Sequence, residues 1–207
     1  MSLEKAYDYI VIGAGSAGCV MASRLSENLT DRVLLLEAGN RDSNPWIHVP
    51  IGYFKTMHNP KTDWCYMTEP DPGINGRQLQ WPRGKVLGGS SSLNGLLYVR
   101  GQKEDYDDWA ALGNQGWSYD EVLPYFKKSE DQERGANKYH GVGGPLSVSN
   151  IRIRREICDR FIDAAEQIGI PRNDDSNGET QEGVGYFQLT INRNGTRCST
   201  AVGFHRP

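Results

Sequence analysis

Two glycine-rich stretches carry the chemistry this chain can offer. Gly13, Gly15 and Gly18 form a G-x-G-x-x-G spacing directly after the strand-like run YDYIVI, and a helical pattern follows at once. Glu37 stands about 20 residues after Gly18, at the end of the apolar run Val33-Leu34-Leu35-Leu36, where a ribose-binding acid is expected. The spacing suits an adenine dinucleotide. Gly13 permits a tight turn, Gly15 lets a pyrophosphate approach the backbone, and Gly18 lets helix and strand come close. Unsatisfied N–H groups at the helix start, in the turn that holds Ser16, favour phosphate oxygens. Glu37, with Ala38 beside it, is suited to accept hydrogen bonds from the ribose hydroxyls. This unit alone does not separate FAD from NAD.

The second stretch, GKVLGGSSSLNG at residues 84–95, has the composition of a flexible joint. Its flanks do not: Trp81-Pro82-Arg83 precede it and Leu96-Leu97-Tyr98-Val99 follow. Gly88, Gly89 and Ser90 leave backbone amides open to a flat ring or to phosphate oxygens. Arg83 and Lys85 either add positive charge near a diphosphate or are ordinary solvated side chains.

The elements that must hold these residues begin with a strand, helix, strand crossover over residues 7–37. Ala17, Met21, Leu25 and Leu29 lie four apart, with Val20 beside them, and predict one buried helix face. The second strand reads as covered on both faces, as in a parallel sheet. Residues 40–81 lose periodicity and hold five of the ten prolines, yet Trp46, Tyr53, Phe54, Trp64 and Tyr66 are interleaved with them. That mixture predicts an ordered, irregular excursion. Helices are expected at 104–112, with Tyr106 and Trp109 inward, from the capping pattern Ser118-Tyr119-Asp120-Glu121 onward, and at 154–168, with Ile157, Phe161, Ala164, Ala165 and Ile168 on one face. Strands are expected at 145–148 and 184–191, a turn at Asn194-Gly195, and a helix from Ser199.

The chain has 207 residues, a formal charge of -3 and 24% charged residues, which leaves no basic footprint for nucleic acid. No apolar run approaches the roughly 20 residues of a membrane span, and a cytoplasmic location is the default expectation. The four cysteines, Cys19, Cys65, Cys158 and Cys198, lack metal-ligand spacing and read as buried or inert thiols; no metal site is expected.

Residues 84–94, followed by Tyr98, Gly101 and Asp107, resemble the first signature of the glucose-methanol-choline (GMC) oxidoreductases. YDYIVIGAGSAGCV, VLLLEAG, HGVGGPLSVS, QEGVGYFQLT and NGTRCSTA are similar to the alcohol- and choline-dehydrogenase-like branch. The resemblance implies an FAD enzyme that takes hydride from the carbon of a small-molecule alcohol onto the flavin. It places Gly13, Gly15, Ser16 and Gly18 at the pyrophosphate, Glu37 at the ribose, and Ser90, Asn94, Gly95 and Leu97 along the flavin half. Leu93 stands where some members carry a histidine bonded to the flavin, so non-covalent FAD is expected.

Members of the family are more than twice as long. The resemblance puts the catalytic histidine pair beyond residue 207, so no catalytic residue is assigned. His48, His58, His140 and His205 read as loop or surface residues, and Asp107-Asp108 and Asp174-Asp175 as helix-surface and turn carboxylates. The implied fold class is α/β: an incomplete Rossmann-type FAD-binding domain over 1–102, with its crossover at 7–37, cover at 40–81 and flavin-binding segment at 82–101. The beginning of an α+β substrate domain follows at 103–198, and a return to the first domain at 199–207. A non-catalytic FAD-binding remnant is the alternative, and an NAD-dependent dehydrogenase a weaker one.

Overall fold

A computed structural model describes residues 6–205. The backbone divides into two compact units, Met1–Leu96 with Asn194–Pro207, and Leu97–Arg193.

In the first unit β1 (Tyr9–Ile12) runs parallel to β2 (Val33–Leu36), Tyr9 opposite Val33 and Ile12 opposite Leu36. The connecting helix α1 (Ser16–Leu25) buries Cys19 and Ala22. The expected stripe is wrong here: Met21 is exposed, and Leu29 lies beyond the helix end. Close approach selects the face with the smallest side chains, since a Cβ on Gly18 would lie 1.8 Å from the carbonyl oxygen of Gly13.

Nor is the sheet covered on both faces. Ile10 and Ile12 are 58% and 85% exposed, and Leu36 is 45% exposed. Exposed apolar strand edges promote association. The 207-residue chain by itself is therefore expected to bind a hydrophobic dye and to self-associate; a dye-silent, monodisperse species on gel filtration would contradict this.

The proline-rich excursion is ordered, as its aromatics suggested. It forms α2 (Pro45–His48), capped by the Asn44 side chain, then α3 (Tyr53–Thr56), and an antiparallel pair of β3 (Tyr66–Met67) and β4 (Gln80–Trp81). Ile47 from α2 packs with Val86 and Leu93 of the second glycine stretch, and Met57 leans on this core. Leu93 is thus a core side chain, 2% exposed. After the turn at Asn194-Gly195, the described chain closes in a π-helical turn, Ala201–His205.

The second unit holds α4 (Lys103–Ala111), α5 (Tyr119–Ser129), β5 (Glu130–Gln132) parallel to β6 (Leu146–Val148), and α6 (Glu156–Gln167). The expected cap on α5 forms: the Ser118 backbone N–H and hydroxyl both donate to Glu121, at 3.1 and 2.6 Å. The Tyr106 ring meets Trp109, Tyr119 and Phe126 between α4 and α5.

Trp109, expected inward, is 48% exposed, and expectations for two further elements of this unit fail. On α6 the buried residues are Ile162 and Ala165, while Ile157 and Phe161 are exposed; periodicity revealed an apolar stripe but not which side is covered. Residues 184–191 form no ladder, only isolated bridges such as those of Leu189 to Leu97 and to Ser149. Gly183, at φ +131°, breaks the extended run at its start, and the buried Gln188 side chain turns to Gln132.

Candidate functional site

The site in the first unit is built where backbone touches backbone. Gly88 donates its N–H to the Ala14 carbonyl at 2.7 Å, joining the two glycine turns. Gly88 and Gly89 adopt φ of +89° and +54°, and a Cβ on Gly89 would lie 2.7 Å from the Cα of Gly15. Likewise a Cβ on Gly84 would meet the carbonyl of Gly89 at 2.2 Å, and one on Gly39 the Lys85 oxygen at 2.0 Å. These contacts leave a cleft of about 810 Å³, within the size range of ligand pockets.

Of the residues anticipated from sequence, Gly13, Gly15, Ser16, Glu37, Ala38, Arg83, Gly89 and Ser90 line this cleft. Gly18 lies in the first turn of α1, against Gly13, and Gly88 is buried behind the lining. Asn94 and Gly95 are exposed but outside the lining. Leu97 belongs to the second unit, where it bridges Leu189.

The electrostatics of the cleft favour an anion beside a diol. Helix α1 begins at Gly15 with no side-chain cap and no acid in its first turn, so its amide dipoles are not neutralised from within. The Glu37 carboxylate is aimed by two amides: Oε2 accepts from Ala14 N and Oε1 from Gly39 N, both at 2.8 Å. Each oxygen keeps a lone pair for a further donor.

Sequence reasoning missed Trp64 and Tyr66, which also line the cleft, with ring planes 5° apart and centroids at 5.9 Å. Lys85 places its ammonium 4.6 Å from the Trp64 centroid, and the Arg83 guanidinium lies 5.2 Å from that of Trp81. Asp63 organises this wall. Its buried carboxylate accepts from His58 N at 2.7 Å and from Cys65 N and Arg83 N at 2.9 Å. Burial alone would raise it, but these amides hold it below the usual carboxylate range. The W-x-Y alternation directly after an aspartate is the signal that could have marked this wall.

The second unit corrects the reading of the histidines. His140 is not a surface residue: it is 2% exposed and clamped between two carboxylates. Its Nδ1 lies 3.0 Å from Glu130 and its Nε2 2.9 Å from Asp175, so Asp175 is more than a turn carboxylate. Glu130 also accepts from the buried Arg100 guanidinium at 2.9 Å and from Gly141 N at 2.9 Å. Burial alone would lower the imidazole, but its bonds to Asp175 and Glu130 raise it to about 9. Asp175, which burial would raise, is lowered by the same bond. His48 is partly exposed and His58 exposed, as expected, while the His205 side chain lies outside the described residues. Of the cysteines, Cys19 and Cys198 are buried, and Cys65 and Cys158 are exposed.

Comparison with known proteins agrees with this geometry. The GMC oxidoreductase family model matches residues 7–207. Choline dehydrogenase, mitochondrial, of Mus musculus is 47% identical over 97% of this chain and 35% of its own length. Among solved structures, pyridoxine 4-oxidase from Mesorbium loti superimposes with a TM-score of 0.91 at 36% identity, covering 97% of this chain and 39% of that one. An FAD-dependent oxidoreductase from Chaetomium thermophilum does so with a TM-score of 0.86 at 30% identity, over 96% and 36% of the two chains. The chain thus spans about a third of the length of the curated relatives it matches, 35% for the mouse protein. Among the described residues no helix is long and apolar enough to cross a membrane.

Proposed function

The chain belongs to the GMC oxidoreductase family, and from that premise we propose that its first unit is the FAD-binding part of an enzyme oxidising CH–OH groups of small-molecule alcohols. The observation that carries this reading is the contact of the two glycine turns at Gly15 and Gly89, which builds a cleft walled by backbone. The Gly15 and Ser16 amides would hold the diphosphate and Glu37 would accept from the adenosine ribose; contrary to expectation, the Gly88 and Gly89 N–H groups are taken by the Ala14 and Val86 carbonyls, both at 2.7 Å, so Gly89 contributes close approach and not a donor. Gly18 keeps helix and strand together, and Arg83 and Ser90 close the opposite wall. Gly88 supports that wall from behind, and Asn94 and Gly95 are assigned to the flavin half. Bound FAD supplies a two-electron acceptor for hydride. This chain's part is to bind and orient it.

Leu93 has no nucleophilic atom and is packed in the core, which supports non-covalent retention. The named activities of the mouse and Mesorbium relatives, on choline and on pyridoxine, support an alcohol as donor. The test is reconstitution with FAD, FMN or NAD, followed, in a protein that carries this chain together with the histidine pair the family resemblance implies, by anaerobic addition of a panel of alcohols. We expect tight binding of FAD only, and bleaching of the flavin's visible absorption by at least one primary alcohol. Preference for NAD would refute the cofactor assignment. Bound FAD that no alcohol bleaches would favour a binding module over an enzyme.

A further inference from the structure

The segment N-G-T-R-C-S-T-A at residues 194–201 has no part in the cleft described above. Its Arg197 is nevertheless the largest fully buried side chain among the described residues. Nε donates to the Ile47 carbonyl at 2.8 Å. Nη1 donates to the Asn94 Oδ1 at 2.8 Å and to the Ser91 carbonyl at 3.1 Å, while the Arg197 backbone N–H donates to the His48 carbonyl at 2.9 Å. One guanidinium therefore ties the end of α2, the second glycine stretch and the returning chain together. Burial lowers it to about 10, which leaves it a cation at neutral pH. A lysine ammonium, a single point on a flexible stem, does not reproduce the planar fork that serves these separate acceptors.

The same contacts decide how the Asn94 carboxamide is turned. Guanidinium and backbone N–H groups only donate. Asn94 receives Arg197 Nη1 at 2.8 Å and Leu96 N at 3.1 Å at one and the same atom, which must be its oxygen. The amide nitrogen then points the other way, and Asn94 is an exposed residue. An unclamped carboxamide would present oxygen or nitrogen with little preference; here two donors already engage the oxygen, which leaves the NH₂ for a ligand.

We propose that Arg197 is a positioning residue that locks Asn94 with its NH₂ outward, as a hydrogen-bond donor to a ring carbonyl oxygen or unprotonated ring nitrogen of the flavin. The inference rests on the FAD reading above. It also gives a reason for the second glycine stretch to end in an amide: the ligand faces a donor, and the protein interior faces an acceptor.

Asn94→Asp in the holoprotein is the sharpest test. The carboxylate still offers oxygen to Arg197 and to Leu96 N, so the fold is kept, with Tm equal or higher. The outward atom becomes an anionic acceptor, and the FAD Kd is expected to rise about 10- to 100-fold. A second arm crosses Arg197→Lys with Asn94→Ala. If Arg197 acts through Asn94, the loss of FAD affinity caused by Arg197→Lys largely disappears in the Asn94→Ala background. Wild-type affinity in Asn94→Asp, or fully additive losses in the cycle, would overturn the proposal. A wild-type chain that binds no FAD would instead bring down the cofactor reading on which it stands.

Discussion

Replacement of Gly89 by valine is expected to leave the protein without FAD after gel filtration. Gly89 sits at φ +54°, in the left-handed region, and its missing Cβ would fall 2.7 Å from the Cα of Gly15. Left-handed backbone costs an L-residue roughly 1–2 kcal/mol, and a β-branched side chain suffers most. The larger effect is steric. The atom opposite is backbone of the other glycine turn, so relief requires that the two turns separate, and their separation opens the wall proposed to hold the diphosphate. Gly89→Ala places the same first carbon against Gly15 and should also lose most of its flavin. Gly76→Ala is the control, because Gly76 has φ +71° but nothing within 4 Å of its absent Cβ. It pays the backbone cost alone and should retain flavin. A Gly89→Val protein that stays yellow would refute the assignment of this turn to FAD.

The second large effect is a loss of stability in alkali, centred on the second unit. Both ring nitrogens of His140 face carboxylate oxygens, Glu130 at Nδ1 and Asp175 at Nε2. The Gln132 amide nitrogen also lies near Nδ1, but its protons are directed to Glu130 and Gln188. His140 is therefore an imidazolium in the folded state, balancing two carboxylates together with Arg100. Its folded pKa of about 9 lies above the ordinary 6.5. The stabilisation is fully present below about 6.5 and is lost progressively as pH rises through about 9. The difference corresponds to a contribution on the order of 3 kcal/mol. Urea midpoints should fall between pH 6 and 10 in the wild type. His140→Gln should start lower, by several kcal/mol as for a broken buried ion pair, and stay nearly flat across that window. Hydrogen exchange at the Gly141 amide, which donates to Glu130, reports the same event locally. A wild-type profile as flat as that of the variant would show that the clamp contributes nothing.

What could be read from sequence was what is written locally. Gly13, Gly15 and Gly18 announce their roles by spacing within a few residues, and Ser118 with Glu121 announces a helix start in four. Trp64 and Tyr66 escaped because β3 and β4 are two residues long, too short for any period, and prolines surround them. His140 escaped for a different reason. Its partners at positions 130 and 175 reach it only through tertiary folding, and a histidine in a glycine-rich turn is the commonest guise of a surface residue. The α6 stripe shows the converse: Ile157 and Phe161 were legible as apolar, but which helix face is covered depends on what lies opposite.

The two-part make-up of the first unit bears on when this protein can capture its ligand. Arg197 bonds to residues 103, 106 and 150 positions earlier in the chain, at Asn94, Ser91 and Ile47. During synthesis all of the second unit, Leu97–Arg193, emerges before that clamp exists. The glycine turns can form early, from nearby sequence, but the stretch ending at Asn94 waits for a long-range closure by Arg197. If Arg197 positions Asn94 as proposed, full FAD affinity is expected only after Arg197 has emerged, and a ribosome stalled before it holds a nascent chain whose second glycine stretch is still unlocked.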